Sequence, residues 1–150
     1  MIKNRKIWIL VAAIFIILSF IILKFSRVPA QKTANVCFGQ NCFQSEIARD
    51  DAELQKGLMD RDGLDQDKGM LFVFNKEDKH SFWMKNTKIP LDVIWMSKDG
   101  KIVDIQTLSP CISDKCPTFS PKTNAQFVLE INAGLTKKDN IKIGDLAILK

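Results

Sequence analysis

The sequence predicts a mainly β (α+β) fold: a small antiparallel sheet of about seven strands, curled or barrel-like, with one or two short helices, set after an N-terminal transmembrane helix. Three observations carry this expectation. Ile7 to Leu23 is a run of seventeen residues with no charge and no strong helix breaker. Short apolar runs recur through the rest of the chain, separated by hairpin signals of which Asp99-Gly100 is the strongest. Frequent hairpins imply antiparallel pairing, and a sheet of that size in a small domain curls to protect its edges.

The first element is the apolar run. At a rise of ~1.5 Å per residue it spans roughly 25 Å, the short end of what a bilayer core needs. A cleaved signal has a shorter core and a small-x-small site after it. The best such site here, Val28-Pro29-Ala30, is spoiled by Pro29. A buried helix in a soluble domain needs a polar face, and Ser19 is the one polar residue in the run. Cys37 lies too far from the run, without a small-residue approach, for a lipoprotein. Residues 7–23 therefore read as a signal anchor, residues 1–6 as its cytoplasmic flank and 24–35 as a linker. A domain secreted after signal cleavage is the alternative.

Lys3, Arg5 and Lys6 on one flank balance Lys24, Arg27 and Lys32 on the other, so the positive-inside rule gives no orientation. The cysteines break the tie. Four residues separate Cys37 from Cys42 and Cys111 from Cys116. Two short-range pairs suit an oxidising compartment, which places residues 36–150 outside the cytoplasm on a single-pass membrane protein. The bilayer is then one partner, and a small ligand or an envelope protein the other.

The formal charge of +5 belongs to the membrane flanks. Residues 1–32 hold six Lys and Arg and no acid, which leaves the domain with sixteen bases against seventeen acids. A nearly neutral domain of mixed sign has no nucleic-acid footprint. Ten Phe, three Trp and five Met favour a packed core over disorder.

Along the domain, Val36 to Ile47 reads as a hairpin turning at Gly39-Gln40-Asn41. Asp50 caps a helix, with Glu53 completing a capping-box pattern and Leu54 and Leu58 on one face. Residues 60–69 are polar and glycine-rich and read as a loop. Met70 to Phe74, Ser81 to Asn86 and Asp92 to Ser97 read as strands, the last joined through Asp99-Gly100 to Lys101–Leu108. Residues 109–124, with three prolines and the second cysteine pair, form a long loop. Gln126 to Ile131 is a strand, Leu135 to Asn140 one helical turn, and Ile141 to Leu149 a last strand with a bulge or turn at Gly144-Asp145.

A succession of motifs then becomes recognisable. Gly57-Leu58-Met59-Asp60-Arg61 precedes Gly69-Met70-Leu71-Phe72-Val73-Phe74. Phe82-Trp83-Met84-Lys85-Asn86-Thr87 follows, then Ile89-Pro90-Leu91-Asp92, Cys116-Pro117 and Val128-Leu129-Glu130. In this order they resemble the domain of unknown function 192 family over roughly residues 43–149. Met59-Asp60-Arg61, and Phe119 where members often have Tyr, vary that pattern mildly. The resemblance implies a small β-rich domain with a helix, often behind a signal or anchor segment. It names no reaction.

The residues offer several chemistries. His80 is the only histidine and sits in a charged loop, where a solvated side chain is the plain reading. Neither cysteine pair is Cys-x-x-Cys, so structural disulfides Cys37–Cys42 and Cys111–Cys116 are expected over redox or zinc chemistry. No Gly-x-Ser-x-Gly supports a serine hydrolase. Asp92, Asp104 and Glu130 fall inside strands, and an acid buried there needs a partner, for which Arg61 and Lys85 are candidates. Met59, Met70, Met84 and Met96 could hold Cu(I) but fill cores more often. Trp83, Lys85 and Asn86 set an aromatic, a charge and an amide along one strand, as a ligand pocket or partner face would.

Together these favour a non-enzymatic binding or accessory module, with Arg61, Trp83, Lys85, Asn86, Asp92 and Glu130 as binding candidates and no cofactor or metal. The alternatives are an enzyme using Asp92 or Glu130 with Lys85 and Arg61, and, below it, a methionine copper site.

Overall fold

The computed structural model describes Trp8 and residues 32–150, so the anchor expected over 7–23 lies, apart from Trp8, outside the described residues. Among the described residues no helix is long and apolar enough to cross a membrane.

The hairpin forms earlier than composition suggests. Strand β1 (Thr33–Phe38) pairs antiparallel with β2 (Asn41–Ala48), and its first residues, Thr33 to Asn35, take up part of the expected linker. Gly39 takes φ 60°, a value open to glycine at the first centre of a two-residue turn. Cys37 and Cys42 are register partners with Cα atoms 4.0 Å apart, and their disulfide clips the hairpin. Helix α1 (Asp51–Lys56) follows, capped as predicted. The Asp50 carboxylate accepts from the Glu53 amide at 2.9 Å, and Glu53 accepts from the Asp50 amide at 3.3 Å.

The helix makes a crossover that the hairpin count did not predict. Strand β3 (Lys68–Asp78) returns parallel to β2, with Gln44 opposite Lys68 and Ala48 opposite Phe72. A parallel pair needs a connection across the sheet, which α1 and the loop to Asp67 supply. The sheet is therefore mixed rather than purely antiparallel. Strands β5 (Leu91–Met96), β6 (Ile102–Leu108) and β8 (Ala125–Asn132) join it antiparallel, and the order is β6-β5-β8-β3-β2-β1-β9, with β9 being Ile148–Leu149.

Two expected strands shrink. Ser81 to Asn86 keeps only β4 (Phe82–Trp83), which pairs outside the main sheet with β7 (Thr118–Phe119) from the long loop. Ile141 to Leu149 keeps only β9, because Lys142 to Asp145 fold into a turn. Gly144 takes φ 99° there, and the Asp145 carboxylate accepts from the Lys142 amide at 2.8 Å. Helix α2 (Leu135–Lys138) is the expected single turn.

The last segment ties the two ends of the sheet together. Ile102 donates to Asp145 and Ala147 to Gly100 at the β6 end, while Asn35 and Lys150 exchange two bonds at the β1 end. The seven-stranded sheet is thus a curled half-barrel that this strap draws closed. One face carries Val36, Phe43, Leu71, Ile94, Met96, Leu129 and Ile131 under Leu135 and Ile141. The other carries Met70, Phe72, Val93, Trp95 and Val128 under Leu58, Phe82 and Met84. With both faces covered, every residue of β5 is buried.

Candidate functional site

Three carboxylates lie buried in the strands, and the structure treats them differently. Asp92 is wholly buried and accepts from Thr107 Oγ1 at 2.6 Å, from the Thr136 amide at 2.9 Å and from Thr136 Oγ1 at 2.7 Å. It ties β5 to β6 and to the start of α2. Asp104 accepts from the Ile105 and Lys122 backbone amides and from the Gln106 side-chain Nε2, at 3.0–3.2 Å. Both are satisfied structural acceptors. Glu130 is only 5% exposed, and no donor among the described residues reaches it. Burial alone pushes its carboxyl up to about 8, with no neighbouring charge holding it down.

Glu130 lines a small cleft of about 30 Å³, room for one or two water-sized groups. Among the described residues no fully enclosed side-chain nitrogen or oxygen lacks a partner, so the carboxyl oxygens reach solvent through this opening. The floor is the sheet: Glu130 stands opposite Met70 on β3 and Val93 on β5, beside Phe72. One wall is Leu54, Gly57, Leu58 and Met59, at the end of α1 and just beyond. The other is Phe82, Trp83 and Thr87.

Local sequence explains both walls. Gly57 ends α1 at φ 47°, and a Cβ there would come within 3.1 Å of the Phe72 ring and 3.9 Å of Glu130 Oε2. Glycine lets the backbone pass close over the acid. The opposite wall is held by the second cysteine loop. Cys111 donates to the Met84 carbonyl at 3.1 Å, and the Asn86 amide donates to the Cys111 carbonyl at 3.0 Å. The Cys111–Cys116 disulfide, with Cα atoms 5.8 Å apart, closes that loop.

The residues expected to act together are only partly brought together. Asp92 faces the α2 side of the sheet and Glu130 the α1 side, because Asp92 pairs with Ile131 and Glu130 with Val93, one register position apart, and successive residues point to opposite faces. Arg61 is held by both carboxylate oxygens of Glu46. Lys85 sits with its Nζ 5.5 Å from the centre of the Trp83 ring. Neither supplies Asp92 or Glu130. Asn86 takes φ 55° in the turn, and its carbonyl accepts from the Asp60 amide at 2.9 Å. Of the six binding candidates, Trp83 and Glu130 line the cleft.

Met70 and Met84 pack on the α1 side and Met96 on the other, so the four thioethers form no single set; Met59 borders the cleft. Among the described residues no three His, Cys, Asp or Glu side chains cluster as metal ligands would. His80 is better anchored than a free loop residue, stacked on Phe74 at 3.6 Å with Nε2 3.0 Å from the Lys76 carbonyl. Leu54, Phe72, Phe82 and Thr87 line the cleft without being expected there from the sequence, although Leu54 lies on the predicted helix face and the other three within the recognised motifs.

Comparisons with known proteins agree with this architecture. A crystal structure of a protein of unknown function from Novosphingobium aromaticivorans DSM 12444 is 35% identical with a TM-score of 0.69, over 81% of this chain and 89% of that one. A Sinorhizobium meliloti 1021 protein described as a candidate transcription regulator is 30% identical with a TM-score of 0.69, over 80% of this chain and 94% of that one. No curated protein matches the chain. The family model of DUF192, described as an uncharacterised ACR, matches residues 34–148, and the chain belongs to that family.

Proposed function

We propose that this protein is a non-enzymatic binding module, tethered to a membrane by residues 7–23 with its domain outside the cytoplasm, that takes a small ligand in the cleft at Glu130. One observation carries the reading: a buried acid without a donor opens into a cleft, while the two neighbouring strand acids are fully bonded. A carboxyl that burial strips of most of its water and that has no protein donor is poorly solvated, and an arriving donor group recovers part of that free energy.

Two further features support the reading. Among the described residues, no second acid, histidine or cysteine lines the cleft, and its other ionisable group is Lys56. Both cysteine pairs are disulfides, which persist in oxidising compartments.

Fragment screening by NMR on the full chain in detergent tests the binding role. Bound fragments should shift the Trp83 indole and the Gly57 and Thr87 amides together. Shifts scattered over the surface, or none, overturn it. Location is tested separately: protease added to intact cells should remove the domain, and full protection would place it on the other side.

A further inference from the structure

The geometry points to a primary ammonium group as the ligand of this cleft, seated between the Glu130 carboxylate and the rings of Phe72, Phe82 and Trp83. This rests on the binding reading above and names its chemistry.

A buried carboxylate without a donor is best satisfied by a group that brings both positive charge and hydrogens. Aromatic rings are the complementary surround, since their faces attract cations. Phe72 and Phe82 meet edge to face at 4.9 Å, and Trp83, 42% exposed at the mouth, already carries the Lys85 ammonium 5.5 Å from its centre. Size is compatible with this class. A volume of about 30 Å³ beside the acid admits an NH₃⁺ head.

The charged groups around Glu130 are few. Lys56 on α1 lines the cleft, and Lys85 lies over Trp83 beyond it. Arg61 is occupied by Glu46. The facing positions on β3 and β5 are Met70, Phe72, Val93 and Trp95. A cation must therefore displace a proton from Glu130, and binding tightens as that proton leaves.

The test titrates the full chain in detergent with propylammonium chloride, followed by NMR, against 1-propanol of the same size and potassium chloride for ionic strength. Propylammonium should shift the cleft residues and 1-propanol at least tenfold more weakly. Its affinity should rise about tenfold from pH 7 to pH 9, as Glu130 ionises around 8. Glu130→Gln should abolish that rise and weaken binding about tenfold at pH 9. Trp83→Leu, altering an exposed ring, should weaken binding several-fold with the spectrum otherwise intact. An Nα-acetyl-lysine amide arm identifies the source. Tighter binding than propylammonium assigns a protein lysine, and weaker binding a free amine; either supports ammonium chemistry. Equal binding of 1-propanol, or unchanged binding by Glu130→Gln, overturns the ammonium class while leaving the binding role standing. No shift at the cleft with any fragment overturns both.

Discussion

Asp92 and Glu130 look alike in the sequence, each an acid in an apolar strand, yet their substitutions should move stability in opposite directions. Asp92 accepts three hydrogen bonds inside the protein. Asp92→Ala leaves the Thr107 and Thr136 donors unsatisfied and should cost about 3 kcal/mol or more by urea denaturation. Glu130 is raised from 4.5 to about 8 by burial. Between those values the folded state binds a proton that the unfolded state has released. Stability therefore falls as pH rises from 4.5 to 8 and levels off above, by up to roughly 5 kcal/mol. Glu130→Gln should remove that slope, so that the variant is the more stable protein at pH 9. A wild-type curve flat across this range would mean that water or a counter-ion already satisfies the acid. The sequence could name both acids as candidates. It could not separate them, because the donors to Asp92 come from Thr107 on β6 and from Thr136, forty-four residues away.

At the level of elements, local signals worked where the partners are local. The capping box at Asp50 and Glu53 and the cystine-clipped turn at Gly39 are decided within a few residues, and both formed as read. Elements that depend on distant partners depart from their local pattern. Ser81 to Asn86 alternates like a strand, yet Cys111 draws Met84 to Thr87 into a turn and leaves only Phe82 and Trp83 in a strand. The same contact makes a prediction. Removing the second disulfide by Cys111→Ser with Cys116→Ser should cost less than about 3 kcal/mol, since the closed loop is short. Its main effect should be local, with faster hydrogen exchange at the Asn86 and Cys111 amides and an unchanged rate in β5. Equal acceleration in β5 would show that the clip supports the whole sheet instead.

For the whole molecule, the closing device is the strap from Gly144 to Lys150, bonded to β6 at one end and β1 at the other. Deleting residues 144–150 should leave both sheet edges unpaired and expose the face under Ile141. Aggregation detected by light scattering in detergent, at temperatures where the intact chain in the same detergent shows no rise in scattering, is the expected outcome. A truncated chain with unchanged scattering and unaltered Tm would show that β1 and β6 protect themselves.

The sequence by itself determined the β-rich class, the two cysteine clips, the first helix and the family, because each depends on short-range pattern or on a motif order that chance does not produce. Only the tertiary structure decided that β2 and β3 run parallel and that Glu130 stands unbonded in a cleft while Asp92 does not. The physical reason is that a carboxyl's role depends on the donors packed around it. Those donors arrive from strands, loops and helix ends far apart in the chain.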